Sequence, residues 1–338
     1  MSPAPLQDTR ERRGTAGRVL RRWWRSVPDR IDRRVVVAAW ISFAAQVLII
    51  GTGGAVRLTS SGLGCPTWPL CTADSLVSTP EMGIHGLIEF GNRTLTGVVG
   101  IAAAVVLLLV VKVRHDRRDL ALLASTVVLG VVAQALVGGV TVLTGLNPFV
   151  VGFHYVASVA LVCVCAAFLV RLRGPSGARE TAPVPGWFVR ATGVMVVTAA
   201  ATVLLGVLTT GAGPHSGDPL AGRNGFDAEL LQHVHAWPSY LLALVTASLT
   251  VVARVRALRA RAWFACLLAL QVVQVLLGVY QARNGLPAVA VGAHMVLAAL
   301  LAAATTVTAM LVAGGDRRRA AGQGRSEDDT LPVLDRAG

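Results

Sequence analysis

A chain of 338 residues that is 54% hydrophobic and only 14% charged, with a mean hydropathy of +0.62, is too apolar for a soluble domain, where roughly a quarter of residues carry charge. Its formal net charge of +13 does not point to nucleic acid, because no folded soluble part remains to present a basic groove. Of the 31 basic residues, 27 lie in residues 1–34, 112–118, 171–190, 254–261 or after Asp316, on alternate sides of successive apolar runs, as the positive-inside rule requires of a membrane protein.

In chain order, residues 1–34 carry ten Arg and read as a basic cytoplasmic tail, too long and basic for the n-region of a cleaved signal peptide. The first apolar run, 35–56, then acts as an uncleaved signal anchor. Seven more follow, at 86–111, 119–143, 149–170, 187–209, 229–252, 262–281 and 287–313. Each is about 20 residues or longer, enough to cross a hydrocarbon core of roughly 30 Å as a helix. Runs such as Ile101–Val111 lack the two-residue alternation of a membrane strand. The expected fold is an all-α integral membrane protein with eight transmembrane helices. An even number of spans puts both termini in the cytoplasm, and residues 314–338, polar and rich in Gly and Asp, are expected to be disordered.

The first long external loop, about 57–84, holds Cys65 and Cys71 in CPTWPLC. On an oxidising side such a pair forms a persistent disulfide; a metal pair is the rival reading, without further ligands nearby in sequence. Cys163, Cys165 and Cys266 fall inside apolar runs and read as inert buried thiols.

Residues 132–154 and 272–294 match at a constant offset of 140, with nine identities in 23 positions, among them Gln134/Gln274, Gly138/Gly278, Gly152/Gly292 and His154/His294. The chain therefore reads as a duplicated four-helix unit, a 35–171 half and a 187–313 half. Four spans per unit return the chain to its starting side, so the two bundles are parallel repeats about an axis along the membrane normal. GTGGAVR after the first span is weakly echoed by TTGAGPH after the fifth.

Five of the seven histidines, His85, His154, His233, His235 and His294, fall near the external ends of even-numbered spans. Intramembrane polar groups are rare and usually functional. Hydrogen bonding to neighbouring helices is the plain alternative, but two imidazoles facing each other across a bundle can hold a haem iron axially. Glycines such as Gly152 and Gly292 would admit either a flat macrocycle or a close helix. The second span carries HGLIEFGNRTLTG, in which His85, Glu89 and Asn92 share one helix face. Glu89 can pair with Arg93 four residues on, or serve in proton transfer from an apolar pocket. Gln232 stands where Glu89 would fall in the second copy, so one half has the carboxylate and the other does not.

With GGAVRLTSSGLGCPTWPLC, IEFGNRTLTG and the matched histidines of spans 4, 6 and 8, the chain resembles the haem A synthase family over about 35–313. That resemblance implies oxidation of a methyl group of haem O to a formyl group by successive hydroxylations, making haem A for terminal oxidases. It implies a haem b cofactor ligated by His235 and His294 in the C-terminal half, and a substrate haem O facing His154 in the N-terminal half. It makes Glu89 the essential carboxylate and Cys65 with Cys71 the external loop pair. Many relatives carry His where this chain has Asn92, and His85 is the candidate stand-in as the second ligand of the substrate iron. Arg57 and Arg93 are candidate partners of the haem propionates. Partners implied are haem O, haem O synthase, a membrane electron acceptor and the lipid bilayer, in the plasma membrane with the functional loops outside. A bis-histidine cytochrome that only passes electrons is the rival function, and it would not need Glu89.

Overall fold

The computed structural model describes Trp24, residues 27–173 and residues 184–328, with side chains as far as Gly314. Most of the basic N-terminal tail lies outside the described residues. Eight long helices account for nearly all of what is described: α1 (Arg33–Leu58), α2 (Gly83–Val110), α3 (Arg118–Leu143), α4 (Pro148–Leu172), α5 (Gly186–Ala212), α6 (Ala228–Val255), α7 (Arg261–Arg283) and α8 (Ala288–Asp328). All eight contain stretches long and apolar enough to cross a membrane. No strand occurs among the described residues, as expected of backbone that must satisfy its own hydrogen bonds in lipid.

Local chemistry sets the helix starts. Asp32 caps α1, its Oδ1 accepting from the backbone N–H of Arg34 at 2.9 Å and of Val35 at 3.3 Å. Asn147 and Asp227 cap α4 and α6 in the same way, and Pro148 occupies the first turn of α4, where a missing N–H costs nothing. The α8 helix runs 41 residues to Asp328, past the boundary at 313 where disorder was expected. The polar stretch after Gly314 carries the Arg317–Ala321 run of good helix formers, and it continues the helix already nucleated in the span.

The repeat is visible in the packing. Within each half the first helix packs on the second and the fourth, the second on the third, and the third on the fourth. Between halves, α4 packs on α8, α1 on α8 and α4 on α5. Those three contacts map onto one another when the halves are exchanged, as a pseudo-twofold axis between α4 and α8 demands. The axis is marked by Tyr155, whose hydroxyl donates to the carbonyl of Met295, its counterpart at offset 140, at 2.8 Å. The α3–α4 and α7–α8 hairpins turn through Gly145–Leu146 and Gly285–Leu286, all four with positive φ between 58° and 71°.

The apolar core is unevenly placed along the helices. In the C-terminal half it is built from Phe188, Met195, Leu249, Phe264 and Leu267, and in the N-terminal half from Val35, Val110, Leu120 and Phe168. These residues lie at the ends of the helices away from the two long loops. The loop-proximal ends carry the histidines instead of a packed apolar cluster.

Candidate functional site

At the loop-proximal end of the C-terminal half, α6 brings His235 opposite His294 of α8, with ring centres 6.4 Å apart and planes at 78°. His235 is held from α5: its Nδ1 lies 3.0 Å from the carbonyl of Thr202. That bond fixes Nδ1 as the protonated nitrogen and leaves Nε2 as the one with a free lone pair. Gly206 makes the fit possible, since a Cβ there would lie 2.8 Å from His235 Cε1. Three residues beyond His235, Pro238 sits inside α6, where its missing N–H releases the carbonyl one turn earlier from the helical ladder.

His294 rests on α7. Gln274 Nε2 donates to the His294 carbonyl at 3.2 Å, and a Cβ on Gly278 would stand 3.4 Å from its Cε1. The same cradle recurs in the N-terminal half, where Gln134 Nε2 donates to the His154 carbonyl at 2.7 Å and a Cβ on Gly138 would lie 3.5 Å from His154 Cε1. Both histidines bury Nδ1 without a hydrogen-bond partner. The repeat therefore preserves a full imidazole setting of glutamine, glycine and histidine. Gln134, Gln274, Gly138 and Gly278 were visible in the sequence as identities, but nothing there assigned them to the histidine rings.

The remaining histidines part company with this pair. His233 is exposed. His215 bonds through Nε2 to the carbonyl of Leu286 at 2.8 Å, fastening the second long loop to the α7–α8 turn. His85 is exposed, and its Nδ1 lies 2.9 Å from Ser61 Oγ; it stands at the mouth of α2, roughly 10 Å along the helix from Asn92. The position in α2 corresponding to His235 belongs to Asn92, whose Oδ1 accepts from Thr52 Oγ1 of α1 at 2.8 Å.

Cys65 and Cys71 form a disulfide, so the metal-pair reading falls away. The loop that they close is clamped from below. Glu89, 4% exposed, accepts from the backbone N–H of Cys65 at 2.7 Å and forms an ion pair with Arg93. Arg93 also donates to the carbonyls of Cys65, Thr67 and Leu70 at 2.9, 2.9 and 3.2 Å. Trp68 of the same loop lies on Gly139 of α3, where any Cβ would run into the indole. Glu89 is thus a buried carboxylate with both oxygens engaged rather than a free group in an apolar pocket. Arg93 has its guanidinium directed at the loop and at Glu89, which is a different occupation from the propionate contact expected of it.

Arg57 donates to the carbonyls of His215 and Thr210 at 2.6 and 3.0 Å and makes no ion pair among the described residues, leaving an uncompensated cation at the seam between the two loops. Gly152 and Gly292 serve helix packing: a Cβ at Gly152 would lie 2.7 Å from Val207 of α5, and one at Gly292 would lie 3.1 Å from Leu58 of α1. Among the described residues, no group of three or more His, Cys, Asp or Glu gathers as a closed zinc-type site would require.

The model of the cytochrome oxidase assembly protein family COX15-CtaA matches residues 37–306. The chain belongs to the COX15-CtaA family. Among curated relatives, it is 35% identical over 139 residues to a haem A synthase of Lysinibacillus sphaericus, covering 39% of this chain and 43% of the relative. It is 29% identical over 121 residues to one of Exiguobacterium sibiricum, covering 36% and 40%, and 29% identical over 133 residues to one of Listeria welshimeri, covering 39% and 43%. The matched stretches thus span about two fifths of the length of these relatives. Membership of COX15-CtaA bears out the haem A synthase resemblance seen in the sequence and agrees with the eight-span fold.

Proposed function

We propose that this COX15-CtaA member is a haem A synthase, with a haem b cofactor in its C-terminal half (187–313) and substrate haem O in its N-terminal half (35–171). The observation that carries the proposal is the His235–His294 pair. Their ring centres are 6.4 Å apart, and two imidazoles facing each other at that spacing would hold a haem iron between them. The glycine at 206, the bond orienting His235 and the lack of an apolar cluster at that end of the bundle all suit a flat prosthetic group. Once bound, haem b would supply one-electron redox chemistry tuned by its two imidazoles.

Turning a methyl into a formyl group takes two hydroxylations and the loss of one water from the hydrate; with water as the oxygen source, each hydroxylation releases two protons and passes two electrons to a membrane electron acceptor. The protein's share is to hold the substrate and manage charge and protons. His154 is the N-terminal half's imidazole for the substrate iron. Glu89 is the carboxylate beside the reacting methyl; held on three sides by Cys65 and Arg93, it retains acceptor capacity for one further proton donor. Arg57 offers a cation for a propionate at the seam of the loops. By the positive-inside pattern, the protein sits in the plasma membrane with both termini in the cytoplasm and both long loops outside.

Purification from cells that make haem O, followed by chromatography and mass measurement of the extracted haems, tests this. Haem A or its hydroxylated precursor beside haem B is the expected result. The tight commitment of Glu89 to its loop favours one rival, an electron-passing bis-histidine cytochrome. Haem B alone, with Glu89→Gln unchanged in every respect, would establish that rival instead.

A further inference from the structure

The two halves differ at one exchanged pair of residues. In the C-terminal half His235 of α6 packs on Gly206 of α5; in the N-terminal half Asn92 of α2 bonds to Thr52 of α1. Thr52 and Gly206 each belong to the first helix of their half, near its loop-proximal end. By the repeat, Asn92 takes the place across from His154 that His235 takes across from His294, and its neighbour on the first helix is a threonine where that of His235 is a glycine. An amide oxygen is a poor iron ligand beside an imidazole, and this one is already accepting the Thr52 hydroxyl. The Asn92 amide N–H groups, in contrast, have no hydrogen-bond partner among the described residues. His85 does not fill the gap, being tied to Ser61 at the mouth of α2.

Building on the haem reading above, we propose that the N-terminal half holds its haem iron by His154 on one face only, and that Thr52 and Asn92 frame an open sixth position where Asn92 donates a hydrogen bond to a small exogenous ligand. The C-terminal half, closed by His235 and His294, takes no such ligand. The two halves of the duplicated fold then hold one iron site for electron traffic and one for ligand binding.

Carbon monoxide is the probe. The holoprotein, purified from cells that make haem O and reduced with dithionite, is titrated with CO while absorbance and the infrared CO stretch are followed. About half of the haem should bind CO, and Thr52→Gly with Asn92→His should cut that fraction at least tenfold while adding a second low-spin signal in electron paramagnetic resonance of the oxidised protein. Should the double variant lose haem, Asn92→Ala serves: it keeps CO binding, but its CO stretch shifts because the donor is gone. A wild-type protein with haem in both halves and no CO uptake overturns the proposal, as does a CO stretch indifferent to Asn92→Ala. CO uptake gained only in His85→Ala would show instead that His85 closes the site. Protein purified without any haem would sink the haem reading itself, and this inference with it.

Discussion

A glycine decides whether His235 can stand where it does. With a Cβ placed 2.8 Å from the imidazole, Gly206→Ala must push the ring or the helix aside, at an overpacking cost of roughly 1–3 kcal/mol. Loss of at least half of the low-spin haem signal is the expected outcome, read by electron paramagnetic resonance and pyridine haemochrome. Gly278→Ala, whose Cβ would stand 3.4 Å from His294, makes ordinary contact and should keep that signal; equal losses in both would show that the glycines act through folding alone. Arg93→Ala strands Glu89 and frees three loop carbonyls, which for a pair exposed by only 21% and 6% should cost about 3 kcal/mol or more. A thermal melt in detergent measures it, and a melting temperature within error of the parent protein would mean that the clamp contributes nothing. The Glu89–Arg93 pairing was legible in the sequence because it follows from spacing, whereas the pairing of His235 with His294 was legible only through the family resemblance. Gly206 and Thr52 were not, since a small residue in an apolar run looks the same whether it faces lipid, a helix or a ring.

Helices were the most legible elements, as each apolar run became one, with ends moved by a few residues at most positions. The clear exception is α8, whose polar extension is helical to Asp328 although it carries Gly315, Gly322 and Gly324. Asp32, the cap of α1, adds a pH dependence. The Arg34 side chain that bonds its carboxylate holds its pKa below the usual carboxylate value. A depressed folded-state pKa stabilises at pH above the ordinary carboxylate value and loses that contribution as pH falls through the folded value. Asp32→Asn, which keeps an acceptor at the cap but not the charge, should therefore lower the melting temperature slightly at neutral pH and flatten its acid-side fall; an identical acid profile would refute the assignment. In the hairpins, Gly145 has a φ of 59°, so Gly145→Ala should lower stability by about 1 kcal/mol.

At the scale of the molecule, the sequence repeat announced two halves, but it could not say which helices would meet across them. First helix on fourth follows from the small residues Gly152 and Gly292, which let α4 approach α5 and α8 approach α1, while fourth meets fourth where Tyr155 bonds to Met295. Gly152→Leu should drive Val207 away and separate the halves, lowering the melting temperature more than the same change at Gly53, where a Cβ meets nothing within 4 Å. Sidedness has a direct test as well. Alkaline phosphatase fused after Ala73 or Gly222 should be active, and after Asp116 or Ala257 inactive; the reverse pattern would invert the whole topology.

Thr52 and Asn92 constrain history as well as chemistry. Histidine at 92 with threonine still at 52 would set a ring against a branched side chain, whereas glycine at 52 with asparagine still at 92 would take the hydroxyl from a half-buried amide. A change at either position alone is therefore expected to cost more than a change at both, so the two positions should vary together.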